Sequence, residues 1–327
     1  MVGSYVQDLA FSCERFPAPG ETVVSRFAAG PGGKGSNQAV AAHRAGASVL
    51  FIGAVGRDAF AAAAKKFYRA EGLRAHLVEK PHHATGAASI LVDRAGQNQV
   101  SVALGASAQL RPSEIDPALI HGARVVICQN EANDAVTAHA FRLARRAGAL
   151  AVLNPAPMRS DFDLALLAAA DVLIPNETEF IALANRTPAT AGLLRTATCA
   201  PLAARTETAL QALEAGNLHR LCRTLGVRTV IVTLGSRGAF VSRESAGEFI
   251  PAHRVKAVDT TGAGDAFVGG FAAGLVKFDG DILRAARFGN AAAALAVTKP
   301  GTAQAMPTER EMRRFLRRQA GPKGFGI

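Results

Sequence analysis

The chain has 327 residues, 49% of them hydrophobic and 19% charged, a balance that fits a soluble globular protein with enough length to bury a substantial core in one or two domains. No apolar run reaches the roughly 18 residues of a membrane span, and the N-terminus lacks the segments of a secretory signal. The net charge of +11 lies largely in isolated arginines and in the tail REMRRFLRRQ, with no basic stripe carrying stacking aromatics, so it favours anionic small ligands over nucleic acid. Cys13, Cys128, Cys199 and Cys222 form no CxxC pair and suggest neither a zinc site nor a disulfide framework, so the cytoplasm is the expected compartment.

Taken in chain order, the first strand looks short: only Met1 and Val2 precede GSYVQD, so the strand is abbreviated or its start lies upstream. ETVVSRFAAG and, later, ASILVDRAGQNQVSVAL alternate more than a core strand would, with a turn at DRAGQN. They predict antiparallel strands outside the main sheet, forming a small lid over approximately 5–30 and 84–107. SVLFIGAVG followed by AFAAAAKKFYRAEG, and RVVICQN followed by DAVTAHAFRLARRAG, begin a strand–helix alternation. LAVLNP with FDLALLAAA, DVLIPN with ETEFIALAN, and then VRTVIVTLG continue it. Strands apolar throughout and separated by amphipathic helices predict a mostly parallel, doubly wound sheet covered on both faces, a three-layer α/β/α core. Residues 186–208 have no firm period and predict a long surface excursion, and helices dominate after residue 264. Ligands of such a sheet sit beyond the carboxyl ends of its strands, which draws attention to Glu131, Asn154, Asn176, Gly235 and Asp259.

Two glycine-rich stretches carry the chemistry. AAGPGGKGSNQAVAAHRAG is not a P-loop, because Gly35 stands where Ser or Thr must follow the lysine. It still offers close backbone approach at Gly32 and Gly33 and donors at Lys34 and Asn37, although a glycine turn capping an Ala-rich helix accounts for part of the pattern. DTTGAGDAFVGGFAAG fails the dinucleotide fingerprint, since Phe267 occupies the third glycine position. Gly262 and Gly264 let backbone N–H groups converge on an anion at a helix N-terminus, and Asp265 lies in that helix's first turn. Complementing the macrodipole explains an acid there, but not its glycines or the adjacent Asp259 and Thr261.

GGKGSNQAVAAHRAG and VDTTGAGDAF resemble the two signatures of the ribokinase-like (PfkB-type) carbohydrate kinases. Between and after them NPAP (154–157), PNETE (175–179), VTLGSRG (232–238) and AAAALAVTKPG (291–301) follow in the family's order. The resemblance spans nearly the whole chain and implies one kinase domain over 1–327, with the lid closing over a sugar, commonly in a homodimer. It implies ATP-dependent phosphorylation of a sugar's primary hydroxyl, with D-ribose going to ribose 5-phosphate. Fructose, a sugar acid or a nucleoside is the alternative acceptor, and a non-catalytic nucleotide- or sugar-binding regulator is the alternative of another class. Residue by residue it makes Asp265 the general base and the N–H groups of Gly262, Ala263 and Gly264 the anion hole. Asp8, Gly32, Gly33, Lys34, Asn37 and Glu131 match sugar-binding positions. Thr233, Gly235, Ser236, Gly238, Gly264 and Asn290 match positions lining the nucleotide, and Asn176 and Glu179 match an NxxE motif that positions Mg²⁺ through water. Asp259, with carbonyls near Thr261, Val297, Pro300 and Thr302, resembles a K⁺ site. Asn176 and Glu179 equally fit a capping arrangement.

Three positions depart from the family pattern: Val6 replaces a sugar-binding Asn, Ser107 an Asn after the lid, and Ala61 a glycine. They bear on the substrate rather than on phosphoryl transfer. His82 and His83 predict an exposed loop pair, Cys128 a buried small hydrophobe, and Gly269, Gly270 and Gly274 a tightly packed helix.

Overall fold

In the chain's first hundred residues, two kinds of strand alternate between two sheets. The computed structural model describes residues 1–191, 210 and 213–319; from residue 192 onward the excursion expected at 186–208, with Cys199, lies outside the described residues. β1 (Val6–Ser12) and β2 (Arg26–Gly32) join β5 (Thr85–Val92) and β6 (Asn98–Gly105) in a four-stranded sheet of order β2-β1-β5-β6. The β5–β6 turn forms where DRAGQN placed it, with Asp93 Oδ1 accepting the Gln97 N–H (2.8 Å) and Gly96 at φ 78°. The pairs β1–β2 and β5–β6 are antiparallel, whereas β1 runs parallel to β5. A complete strand–helix–strand passage separates the two, and only a long crossover of that kind returns a chain to pair in the same direction. By register, Val6, Asp8 and Ala10 share one face with Ala88 and Val102, whereas the Phe11–Phe27 ring pair lies on the other.

That passage is β3 (Leu50–Val55), α2 (Ala59–Glu71) and β4 (Arg74–Glu79), the last a parallel partner of β3. α2 starts on the Asp58 cap, which accepts the Ala61 N–H, and ends at Gly72 in the left-handed region. β7 (Val125–Gln129), β8 (Leu150–Asn154), β9 (Val172–Leu173) and β10 (Thr229–Thr233) are mutually parallel. β11 (Ala239–Ser242) and β12 (Gly247–Ile250) close that sheet with an antiparallel edge hairpin that the sequence pattern did not reveal. Between β3 and β7 the abbreviated first strand is a single residue, Val2, bridged in parallel to Ile52 on one side and Cys128 on the other. The Val2 N–H donates to Ile127 O (2.9 Å) and the Gly3 N–H to Ile52 O (3.0 Å), so this short stitch unites the two strand sets.

The alternation of strand side chains builds the three layers. Cys128, Leu153, Leu173, Val230 and Val232 face one cluster, with Phe141 of α4 (Asp134–Arg146), Phe180 of α5 (Glu177–Arg186) and Leu218 of α6 (Ala215–Arg223). Ile127, Val152, Val172 and Ile231 face the other, with Phe267 and Phe271 of α7 (Ala263–Lys277) and Ala285 of α8 (Ile282–Ala296). The expected FDLALLAAA helix is instead a six-residue 3₁₀ segment, Leu164–Ala169, started by the Asp163 side chain, which accepts the Ala165 N–H. α3 is a single turn (Pro117–Ile120), and the arginines of α9 (Glu309–Gln319) are exposed around a buried Met312, the solvated face expected of that tail. Among the described residues no helix is long and apolar enough to cross a membrane.

α1 (Lys34–Arg44) follows the lid strand β2 and packs on α7 at close range. A Cβ on Gly269 would meet Gln38 O and the Ala41 methyl at 2.5 Å; one on Gly270 would meet the Ala292 methyl at 2.6 Å and one on Gly274 the Ala285 Cα at 2.8 Å. The glycines of α7 therefore set how closely α1 and α8 approach it.

Candidate active site

The Asp265 carboxylate is the third residue of α7, which begins after Gly262 at φ 76°. It is 7% exposed and is gripped from α1: Asn37 Nδ2 donates to Oδ2 (3.0 Å) and Gln38 Nε2 to Oδ1 (2.9 Å). Burial and two side-chain donors exceed what complementing the helix dipole would require. Among the described residues nothing lies within 4 Å of a Cβ built on Gly264, so this helix end faces open space, as a site for a phosphate must. Of the three amides expected to form an anion hole, that of Ala263 donates to Thr260 O (3.2 Å).

A second cluster abuts the first. Gly33, at φ 87°, starts α1 where a side chain would strike Val6 N (2.7 Å) and Ser4 O (2.9 Å), and a Cβ on Gly32 would run into the Asp8 carboxylate. The adjacent Lys34 N–H donates to Glu131 Oε2 (2.8 Å), which also accepts the Ser4 hydroxyl. Burial alone would push the Lys34 ammonium down, but Asp265, Glu131 and Glu179 together hold it above its usual range. Burial raises the carboxyls of Glu131 and Glu179, with Lys34 opposing. Asp8 is pushed up to about 6, chiefly by burial, against the Thr302 hydroxyl that donates to its Oδ2 (3.2 Å) and with Glu131 and Asp265 adding to the rise. Asp8, Gly32, Gly33, Lys34, Asn37, Glu131 and Asp265 thus come together from lid strands, two helices and a strand end.

At the start of α5, Asn176 and Glu179 form a reciprocal capping box: Asn176 Oδ1 accepts the Glu179 N–H (2.8 Å) and Glu179 Oε2 the Asn176 N–H (2.9 Å). Thr233 ends β10, with its N–H on Pro175 O (2.9 Å), and leads into an exposed turn at Gly235 and Ser236. Gly238 closes that turn at φ 97°, where a Cβ would collide with the backbone at Ile250 and Ala252. Asn290 is buried and spends its amide on Ile250 O (3.1 Å) and Pro251 O (3.3 Å). Asp259 follows a segment without regular secondary structure rather than a core strand, and its carboxylate ties two loops by accepting the N–H of Thr261 and of Gly301, both at 2.9 Å. Val297 O takes the N–H groups of Val258 and Asp259, and Thr302 O that of Ala305.

Sequence reasoning passed over Ser4, Gln38 and the Thr302 hydroxyl. Only Gln38 had a signal, its place beside Asn37 in SNQA; the partners of the other two are brought in by the fold. Ser107 is structural here, its hydroxyl on Tyr5 O (3.0 Å) and Ala54 O (3.3 Å). His82 and His83 are exposed, and no metal-ligand cluster occurs among the described residues. The fully buried Cys128 thiol is pushed up to about 12 by desolvation, which fits a small hydrophobe rather than a nucleophile.

A helix N-terminus open to an anion, a buried carboxylate beside it and a polar cluster beside the four-stranded sheet suit an α/β phosphotransferase. The model of the pfkB family carbohydrate kinases matches residues 1–309. The chain is 35% identical to the ribokinase of Haemophilus influenzae, over 97% of both chains, and 32% identical to the deoxyribokinase of Salmonella typhi over the same shares. It is also similar to the structure of Arabidopsis thaliana ribokinase complexed with ribose and ATP, at TM-score 0.77 and 27% identity over 96% of each chain. The chain belongs to the pfkB family of carbohydrate kinases and is an ATP-dependent sugar kinase of the ribokinase-like α/β/α fold.

Proposed function

We propose that the protein phosphorylates the primary hydroxyl of ribose, giving ribose 5-phosphate and ADP, with Asp265 as general base. The observation that carries this reading is the Asp265 carboxylate, buried at the glycine-led end of α7 in the same pocket as Lys34, Glu131 and Asp8. The sugar oxygen attacks the γ-phosphorus in line and its proton passes to Asp265 as the new O–P bond forms; the bond to the bridging oxygen breaks and ADP leaves. The Gly262 and Gly264 amides receive the phosphoryl charge, joined by that of Ala263 once it leaves Thr260 O. Asp8, Gly32, Gly33, Lys34, Asn37 and Glu131 orient the sugar; Thr233, Gly235, Ser236, Gly238 and Asn290 border the nucleotide.

The residues fit Mg²⁺ through water: the cap occupies Asn176 Oδ1 and Glu179 Oε2, leaving an outer-sphere role beside the phosphates. When bound, the ion neutralises phosphate charge. Between the loops that Asp259 joins, carbonyls of Thr261 and Pro300 suit a monovalent cation such as K⁺; Val297 does not fit, because two amides already occupy its carbonyl. The reading includes residues 1–327 as one kinase unit with the four-stranded sheet as lid, in a cytoplasmic homodimer. A lid with Phe27 60% exposed supports a second copy as its cover.

One observation favours a second acceptor. Val6 shares the Asp8 face and offers no hydrogen bond to a sugar hydroxyl, and a deoxyribokinase is nearly as similar as a ribokinase. ADP release should therefore be measured over ribose, 2-deoxyribose, fructose, sugar acids and nucleosides, with K⁺ or Li⁺. Ribose is expected to give the highest kcat/KM, K⁺ to exceed Li⁺, and Val6→Asn to widen the preference for ribose over deoxyribose. A nucleoside or sugar acid as best acceptor would overturn the substrate assignment.

A further inference from the structure

We propose that Gln38 is a positioning residue for phosphoryl transfer: its side-chain amide, oriented by Gln129 and Asn154, holds the Asp265 carboxylate in the attitude from which it accepts the sugar proton. The inference rests on Asp265 being the base. Gln38 is 0% exposed, and every hydrogen-bonding group of its side chain is spent inside the protein. One Nε2 hydrogen goes to Asp265 Oδ1 and the other to Asn154 Oδ1, both at 2.9 Å, while Oε1 accepts from Gln129 Nε2 at 2.6 Å. Both of its donors are therefore committed within the protein, and its burial keeps it from a ligand. Asn37 differs, since its buried Oδ1 has no hydrogen-bond partner.

The amide has one workable orientation. Turned over, Gln38 would set its oxygen against the Asp265 carboxylate and the Asn154 oxygen, and its NH₂ against the Gln129 NH₂. Asn154 is itself oriented, its Nδ2 donating to Ile174 O (2.7 Å), whereas Gln129 Nε2 also contacts Met1 Sδ (3.1 Å) and its buried Oε1 has no partner. Gln129 and Asn154 are the last residues of β7 and β8, adjacent parallel strands. The positions of two strand ends thus pass through Gln38 to the carboxylate on α7. The terminal torsion of an aspartate is broad, and one donor would leave it free to swing. Gln38 on one oxygen and Asn37 on the other fix the plane of the carboxylate.

The test compares the full-length kinase with Gln38→Met, which keeps the length of the side chain and loses the donors, in steady-state assays with ribose and ATP alongside thermal unfolding. Gln38→Met should lower kcat about 10- to 100-fold, the effect of misplacing a reacting group, with sugar KM within about threefold. In an Asp265→Asn background the same change should alter the residual rate by less than about twofold, because the group it positions no longer acts. Gln129→Met, which leaves Gln38 in place and removes the donor to its Oε1, should lower kcat about threefold to tenfold. A wild-type kcat in folded Gln38→Met, a rise in KM alone, or losses that multiply with Asp265→Asn would each overturn the proposal. Should Gln38→Met not fold, a wild-type kcat in Gln129→Met overturns it. Undiminished turnover in Asp265→Asn overturns the base assignment itself, whereas a neutral Gln38→Met beside an inactive Asp265→Asn defeats only the role of Gln38.

Discussion

Lys34 is held above its usual range by three carboxylates, Asp265, Glu131 and Glu179, drawn from three different elements, and it in turn opposes the rise of Glu131 and Glu179. Removing the base is expected to lower kcat about 10²- to 10⁴-fold in Asp265→Asn, as measured by ADP release, while the protein still unfolds cooperatively. Asp8 sets a pH signature. Its carboxyl, at about 6 in the folded chain, holds its proton more tightly than in the unfolded chain. Its contribution to stability is therefore full below about pH 4 and lost as the pH rises through about 6. Asp8→Asn should accordingly exceed the wild type in stability by about 3 kcal/mol in urea titrations at pH 7.5, with little gain at pH 4. The same variant should raise the sugar KM about 10-fold or more, by loss of a charge-assisted bond. A wild-type KM would remove Asp8 from the sugar site.

At the scale of elements, the contact between α1 and α7 decides where the base stands. Gly→Ala in an exposed helix gains roughly 0.5–1 kcal/mol in backbone entropy. At Gly269 the new methyl meets the Gln38 carbonyl and the Ala41 methyl at 2.5 Å, and backbone cannot yield cheaply. Gly269→Ala should therefore be net destabilising, by about 1–3 kcal/mol in chemical denaturation, and should lower kcat because α1 carries both donors to Asp265. The signature GDAFVGG announced a packing helix, and that much was legible from glycine spacing. Which glycine meets which helix depended on the crossing, which no local pattern encodes. The Asn176–Glu179 pair was legible twice, as a cap and as a family motif, and the hydrogen bonds of the cap are the part the fold makes explicit.

Across the whole molecule, the lid sheet stands apart with Phe11 and Phe27 on the face opposite Asp8. Sedimentation is expected to give a dimer, and Phe27→Asp to shift it toward monomer while leaving thermal stability nearly unchanged, since Phe27 is largely exposed. A wild-type monomer would remove this face from the proposed interface. The two strand sets of the core meet at Val2, bridged to Ile52 on one side and Cys128 on the other.

By itself, the sequence determined the strand–helix alternation, the glycine turn before α1 and the anion-ready end of α7, because apolar period, glycine and helix ends act over a few residues. The parallel pairing of β1 with β5, the edge hairpin β11–β12 and the amide chain from Gln129 through Gln38 to Asp265 were decided by tertiary structure alone. Each depends on groups far apart in the chain meeting within hydrogen-bond reach, and such meetings are settled by how layers stack rather than by any local preference.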